Sequence, residues 1–280
     1  MIAGTVGGWS QVVVGHPFDT IKVRLQTQGL GLAGKEFEGP VECFLRTVRQ
    51  EGATGLFRGI GSPLLGVGIC NATLFSANEN FRRLLQWGDP QKTLSIAEMT
   101  VAGGLSGIVI ALVICPIELV KVRLQVQTGA ALEGGRIPYA GVTDCVRRLV
   151  QEGGMLGIYR GFHMTVLREV PSFAAYFEND RYPRTMDLLM AGGIAGQLGW
   201  ISCYPQDVIK SRIQARENGP VRTYRTIREM WSGPGGGILG RVWWVGFGTT
   251  MIRAFPANAA TFLAYERCME WLRGSRGEWD

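Results

Sequence analysis

Ionisable side chains set into apolar segments are the residues of this chain best placed to do chemistry, and their spacing repeats. Pro17-Phe18-Asp19-Thr20-Ile21-Lys22-Val23-Arg24-Leu25-Gln26 returns as Pro116-Ile117-Glu118-Leu119-Val120-Lys121-Val122-Arg123-Leu124-Gln125 and as Pro205-Gln206-Asp207-Val208-Ile209-Lys210-Ser211-Arg212-Ile213-Gln214. Every copy reads Pro-x-acid-x-x-Lys-x-Arg-x-Gln. Helix positions three apart lie on neighbouring faces, so the acid and the lysine of one copy can point toward two different neighbours. Exposed ion pairs are worth only about 0 to 1 kcal/mol each, which suits charges that must part and rejoin. The chemistry on offer is that of a gate.

Each proline follows by 13 residues a glycine that opens a Gly-x-x-x-Gly: Gly4 with Gly8, Gly103 with Gly107, Gly192 with Gly196. The second half of each unit repeats as well. Glu51-Gly52 with Phe57-Arg58-Gly59 becomes Glu152-Gly153 with Tyr159-Arg160-Gly161, then a worn copy ending Trp244-Val245-Gly246. Seven residues past the closing glycines stand Gly66, Arg168 and Arg253. Repeats of this length, sought before anything else, govern the fold.

Composition excludes several functions without revealing this one. The 280 residues are 46% apolar and 19% charged, with a net charge of +6, and a mean hydropathy of +0.10 is low for a chain with six membrane spans. Helices that face lipid on one side and a water-filled cavity on the other need apolar residues on only part of their circumference. The 40 glycines suit closely packed membrane helices. The basic residues are dispersed, with no basic run interleaved with aromatics, so nucleic acid is not an expected partner. Cys43, Cys70, Cys115, Cys145, Cys203 and Cys268 form no Cys-x-x-Cys pair or metal-ligand spacing and read as small buried hydrophobes. With only His16 and His163 available, no metal, cofactor or catalytic residue is expected, and no constellation for an enzyme is found.

The elements that must carry the repeats follow from periodicity and breakers. A first helix is expected from Ala3 to Gln28, kinked at Pro17, so with Met1 almost inside it no cleavable signal is expected. A glycine-rich loop from Gly29 to Gly39 leads to an amphipathic surface helix from Pro40 to Gln50, with Val41, Phe44, Leu45 and Val48 at helical spacing. A second span runs from Gly59 to Leu85 and stops at Trp87-Gly88-Asp89-Pro90. The plan returns with a span from Ile96 to Val126 kinked at Pro116, a surface helix from Gly141 to Gln151, and a span from Gly161 interrupted at Tyr182-Pro183. The third unit takes Leu188 to Ala215, Tyr224 to Met230, and Gly246 to Trp271. In it, Gly233-Pro234-Gly235-Gly236-Gly237 stands where the acid-Gly element belongs.

Three in-register copies of Pro-x-acid-x-x-Lys-x-Arg, each followed by an aromatic-basic-Gly element or its remnant, make the chain resemble the mitochondrial carrier family. The resemblance covers nearly the whole chain. It implies an all-α membrane protein: six transmembrane helices in three pseudo-three-fold repeats (1–90, 91–186 and 187–280), each with a short matrix-side amphipathic helix. It implies a matrix gate in which Asp19 meets Lys121, Glu118 meets Lys210 and Asp207 meets Lys22, with Gln26, Gln125 and Gln214 placed like bracing glutamines. An opposite gate of the pattern aromatic-acid-x-x-basic is incomplete: Glu79 with Arg82 and Glu266 with Met269 stand at matching offsets, Met269 lacking the basic group, whereas Glu178 with Arg181 is slipped by three residues. Gly59, Gly161 and Gly246 open helices after the matrix segments, where anionic phosphates are favoured, and the ligand implied is cardiolipin.

The substrate site is expected between the gates, at Arg168, Glu169, Arg253 and Gly66. Arg168-Glu169-Val170-Pro171 resembles the amino-acid and carnitine branch, where an Arg-acid pair on the fourth helix contacts substrate. Arginine forks match a carboxylate and Glu169 matches a cationic nitrogen, so a zwitterion fits better than a nucleotide. The expected function is exchange of an amino acid or carnitine species by alternating access across the mitochondrial inner membrane, by a multi-pass protein acting as a monomer. The worn third unit supports an alternative: a carrier-fold subunit of a larger membrane complex with little or no transport.

Overall fold

The computed structural model describes residues 2–28, 37–87, 89, 92–127, 138–178, 204–216, 223–233 and 240–274. Gly192, Gly196, Arg181, Tyr182, Pro183, Cys203, Pro234 and Gly235 to Gly237 lie outside them, as do 29–36 of the first loop and most of the short connection before Pro205. Among the described residues the regular elements are all helices. In chain order they form α1 (Ile2–Thr27), α2 (Pro40–Glu51), α3 (Gly61–Leu85), α4 (Ile96–Val126), α5 (Val142–Gly157), α6 (Phe162–Glu178), α7 (204–215), α8 (Thr223–Ser232) and α9 (Phe247–Gly274). Short 3-10 turns occupy Ala53–Phe57 and Arg241–Trp244. α3 with the turn before it and α4 are long and apolar enough to cross a membrane, with mean hydropathies of 1.4 and 2.2 over their most apolar stretches. α1 has 26 residues, but Asp19, Lys22 and Arg24 crowd its second half.

Both α1 and α4 run through their signature prolines, Pro17 and Pro116, as single helices. α2 begins with Pro40 at its first turn after an extended Gly39, where the missing N–H costs nothing. Its buried face is Cys43 and Thr47, while Val41, Phe44 and Leu45 are exposed. Most of the apolar stripe read from the periodicity thus points away from the protein. Cys43 joins Ile21, Leu25 and Leu56 in a core cluster, against which Val48 of the stripe also packs. Burial pushes the Cys43 thiol up to about 11, so it packs as a hydrophobe.

The closing glycines are the strongest structural sign that the three repeats are equivalent. Gly59, Gly161 and Gly246 have φ of +84°, +84° and +81°, a conformation side chains rarely tolerate. The third copy therefore keeps its turn although Val245 replaces the basic residue. Val245 instead packs against the cluster of Ile21, Leu25 and Leu56, an apolar contact in place of a charge.

By compactness the chain divides into two units. One comprises Met1–Gly68, Val120–Glu152 and Val245–Asp280, and the other Ile69–Leu119 and Gly153–Trp244. Within the second, α4 and α6 meet backbone to backbone. A Cβ on Gly103 would lie 2.4 Å from the Phe173 carbonyl oxygen, and one on Gly107 2.8 Å from Val170 Cα. In the first unit the close approach shifts by position. Gly8 faces Val67 and Gly7 faces Thr261, while Gly4 has open space around it.

Candidate functional site

In the first unit, α1, α4 and α9 bring three predicted residues together. Lys121 Nζ donates to Asp19 Oδ2 at 2.5 Å, and Arg253 Nε lies 2.7 Å from Asp19 Oδ1 as an ion pair whose N–H is not aligned for a hydrogen bond. Arg253 reaches Asp19 across Gly15, where a Cβ would stand 2.9 Å from its Nε. One carboxylate thus stands between two cations. Gly66, the counterpart of the two arginines, is buried and contributes no side chain.

The second unit builds a larger cluster on Arg168. Its guanidinium donates to Glu118 Oε1 at 2.8 Å, to Asp207 Oδ1 at 3.1 Å and through Nε to Glu169 Oε1 at 2.8 Å. Lys210 donates to the other oxygen of Glu118. The fork of five donors explains how one arginine serves three acids. Glu169 and Asp207 are buried, and three carboxylates meet on the one guanidinium of Arg168. Sequence spacing does not show that Arg168 reaches carboxylates 50 and 39 residues away.

Two expected acid–lysine pairs, Asp19 with Lys121 and Glu118 with Lys210, are therefore in contact. Of the third, Asp207 belongs to the second unit and accepts from Arg168, while Lys22 belongs to the first. The two arginines assigned to substrate hold signature acids, so the residues expected at two levels share the same clusters. Gln125 Nε2 donates to Thr20 Oγ1 at 3.0 Å and touches His16. Its side chain packs below Gly59, and that of Gln214 below Gly161. Gln26 is fully buried.

The second basic residue of the first signature has a structural partner that the motif alone does not reveal. Arg24 donates to Glu51 Oε2 at 3.0 Å, Thr47 Oγ1 at 2.9 Å and the Gln125 carbonyl at 3.1 Å. The acid of the acid-Gly element is thus the counter-charge of a buried arginine. At the opposite end, Glu79 pairs along its own helix with Arg83 at 2.8 Å, both exposed. Arg82 is half-buried beside a cavity of about 280 Å³ shared with Gln86 and Lys92. Glu266 is exposed, Glu178 is the last residue of α6, and Arg181 lies outside the described residues.

Geometry of this kind suits reversible ionic contacts, and comparison with known proteins agrees. The family model described as mitochondrial carrier protein matches residues 1–89, 92–179 and 182–276. A rat mitochondrial basic amino acids transporter is 37% identical over all of this chain and 91% of its own length. A human mitochondrial carnitine/acylcarnitine carrier protein is 38% identical over 97% of this chain and 93% of its own length. A Dictyostelium discoideum mitochondrial substrate carrier family protein S is also 38% identical, over 97% and 96% respectively. With three family matches that follow the three copies of its signature, the chain belongs to the mitochondrial carrier protein family and is a solute carrier.

Proposed function

We propose that this carrier exchanges a basic amino acid across the mitochondrial inner membrane by alternating access, through six crossing helices in three repeats (1–90, 91–186 and 187–280) that make one transport domain. The observation that carries the choice is the gathering of three carboxylates, Glu118, Glu169 and Asp207, on the guanidinium of Arg168. Ionisable groups within a membrane are costly and usually functional. An ammonium or guanidinium can take the place of Arg168 on these carboxylate oxygens with hydrogen bonds, whereas a quaternary amine has no N–H to donate. The cation-rich cluster of the first unit, Arg253 with Lys121 around Asp19, suits a carboxylate. Relatives of nearly equal identity carry basic amino-acid and carnitine names, so identity alone does not separate these substrates.

Asp19, Lys22, Glu118, Lys121, Asp207 and Lys210 serve as the matrix gate in this reading. Within the first unit a carboxylate can compete with Asp19 for Arg253, and within the second a cation can compete with Arg168 for its acids. Binding and loosening of the gate are then one exchange of partners. Anionic lipid, with cardiolipin as the implied species, fits a cavity of about 370 Å³ lined by Arg58, Gly59, Gly61, Tyr139 and Gly141. The helix N-terminus there favours phosphate.

Reconstituted protein loaded with lysine or arginine and offered a panel of amino acids, carnitine, acylcarnitines and dicarboxylates tests the substrate. Counter-exchange restricted to basic amino acids is expected. Exchange of carnitine alone refutes the hydrogen-bonding argument. Absence of all exchange, with purification in a stoichiometric complex, favours the non-transporting subunit.

A further inference from the structure

The residue before each signature proline differs among the three copies, His16, Cys115 and Tyr204, yet all three are buried and all touch the same part of their repeat. His16 Nε2 lies 3.0 Å from the carbonyl oxygen of Arg58, which makes it the donor. Its ring stacks on Phe57 with centroids 6.4 Å apart and planes 12° from parallel. The Cys115 thiol approaches the carbonyl of Arg160, the counterpart of Arg58, at 3.9 Å. Tyr204 stacks on Trp244, the counterpart of Phe57, at 6.1 Å and 2°. Imidazole, thiol and phenol thus reach the aromatic-basic-Gly element by different chemistry.

The place is mechanically significant. A proline inside a helix removes an N–H and crowds the carbonyl four residues back, so the helix is weakest there. Opposite stands the turn into the next helix, made by a glycine at positive φ in all three repeats. The geometry points to a latch: the pre-proline side chain couples the signature half of each odd-numbered span to the turn that starts the following span, so that the two move as one lever when the gate works. His16, Cys115 and Tyr204 are positioning residues in this role.

Latch strength is graded by chemistry. Repeat 1 is the most firmly tied, because Thr20 one turn on donates to the Leu56 carbonyl at 2.7 Å, and Gln125 in turn donates to Thr20 at 3.0 Å. Leu119 and Val208 stand at the positions equivalent to Thr20 and lack a hydroxyl. Repeat 3 has a broad aromatic stack. Repeat 2 relies on a thiol, a weak donor.

The kinetic part of this inference rests on the exchange function proposed above, while its structural part does not. Amide hydrogen exchange and transport of full-length His16→Ala in liposomes therefore separate the two. His16→Ala is expected to speed amide exchange in residues 53–61 about tenfold, the scale of one lost hydrogen bond. It should lower kcat by a similar factor with KM within about twofold, and His16→Gln, which keeps a donor, should recover most of both. Unchanged protection of the turn, or a KM rise that matches the kcat loss, overturns the latch. If His16→Ala does not reconstitute, Cys115→Ser and Cys115→Ala decide. Serine donates better to the Arg160 carbonyl and should slow amide exchange around Tyr159–Phe162 relative to alanine, whereas equal rates overturn the proposal. Loss of transport by the unaltered protein removes the exchange reading and leaves the amide comparison to judge the latch.

Discussion

The two ion clusters grew from copies of the same motif and are built around centres of opposite sign. Asp19 stands between two cations, Lys121 and Arg253, whereas Arg168 stands among three carboxylates, Glu118, Glu169 and Asp207, with Lys210 on Glu118. The signature supplies Asp19 and Lys121 to the first cluster and Glu118, Asp207 and Lys210 to the second. The positions seven residues past the closing glycines add Arg253 to the first and Arg168, with Glu169 after it, to the second, while the first repeat has Gly66 there. The centre of each cluster therefore differs on a frame that the repeats share.

The most disruptive way to break this comparison is Arg168→Ala. It removes the shared partner of Glu118, Glu169 and Asp207. Truncating one member of a buried ionic group costs about 3 to 5 kcal/mol, so thermal unfolding in detergent should move down by many degrees and exchange should vanish. A small shift would mean that the three acids are already well hydrated. Arg253→Ala should abolish exchange too, yet at a cost in stability of about 1 to 3 kcal/mol, because Asp19 keeps Lys121. Equal destabilisation by the two alanines would erase the asymmetry between the clusters.

Much of the frame was legible because it rests on local rules. The span from Ile96 to Val126 and the proline-started helix from Pro40 follow from periodicity and breakers, and the observed ends agree within a residue or two. The site was legible only as a set of residues. That Arg168 reaches Glu118 and Asp207, or that Arg24 is buried against Glu51, depends on helices packed from distant segments, and spacing carries no such distance. The apolar face of α2 was seen but not its direction, since Val41 and Leu45 would read the same packed inward. His16, Cys115 and Tyr204 are hidden in the sequence for the opposite reason: their positions are equivalent while their chemistries are not.

Glu169→Gln tests the carboxylate cluster itself. The change keeps the shape of the side chain and removes one of the three negative charges on Arg168. Arg168 retains Glu118 and Asp207 as charged partners, so the fold should survive with little change in Tm. Exchange of lysine or arginine should fall at least about tenfold, the low end for losing one member of a desolvated charge pair. Basic amino acids exchanged at the parental rate would show that this carboxylate cluster does not recognise the cation. A dicarboxylate substrate would then move ahead.

The smallest expected effect comes from making the same chemical change elsewhere. Glu79 and Arg83 form an ion pair four residues apart on α3, with side chains 57% and 70% exposed. Such helix-surface pairs contribute about 0.3 to 0.5 kcal/mol, so Glu79→Gln should leave Tm within about a degree or two and exchange close to parental. The variant loses the same single negative charge as Glu169→Gln and alters the protein's net charge identically. Only its place differs: a solvated helix face in one case, a buried carboxylate-rich cluster in the other. A transport defect as deep as that of Glu169→Gln would make total charge, or a gate at the Glu79 end, the controlling quantity, and the contrast between the two clusters would no longer account for selectivity.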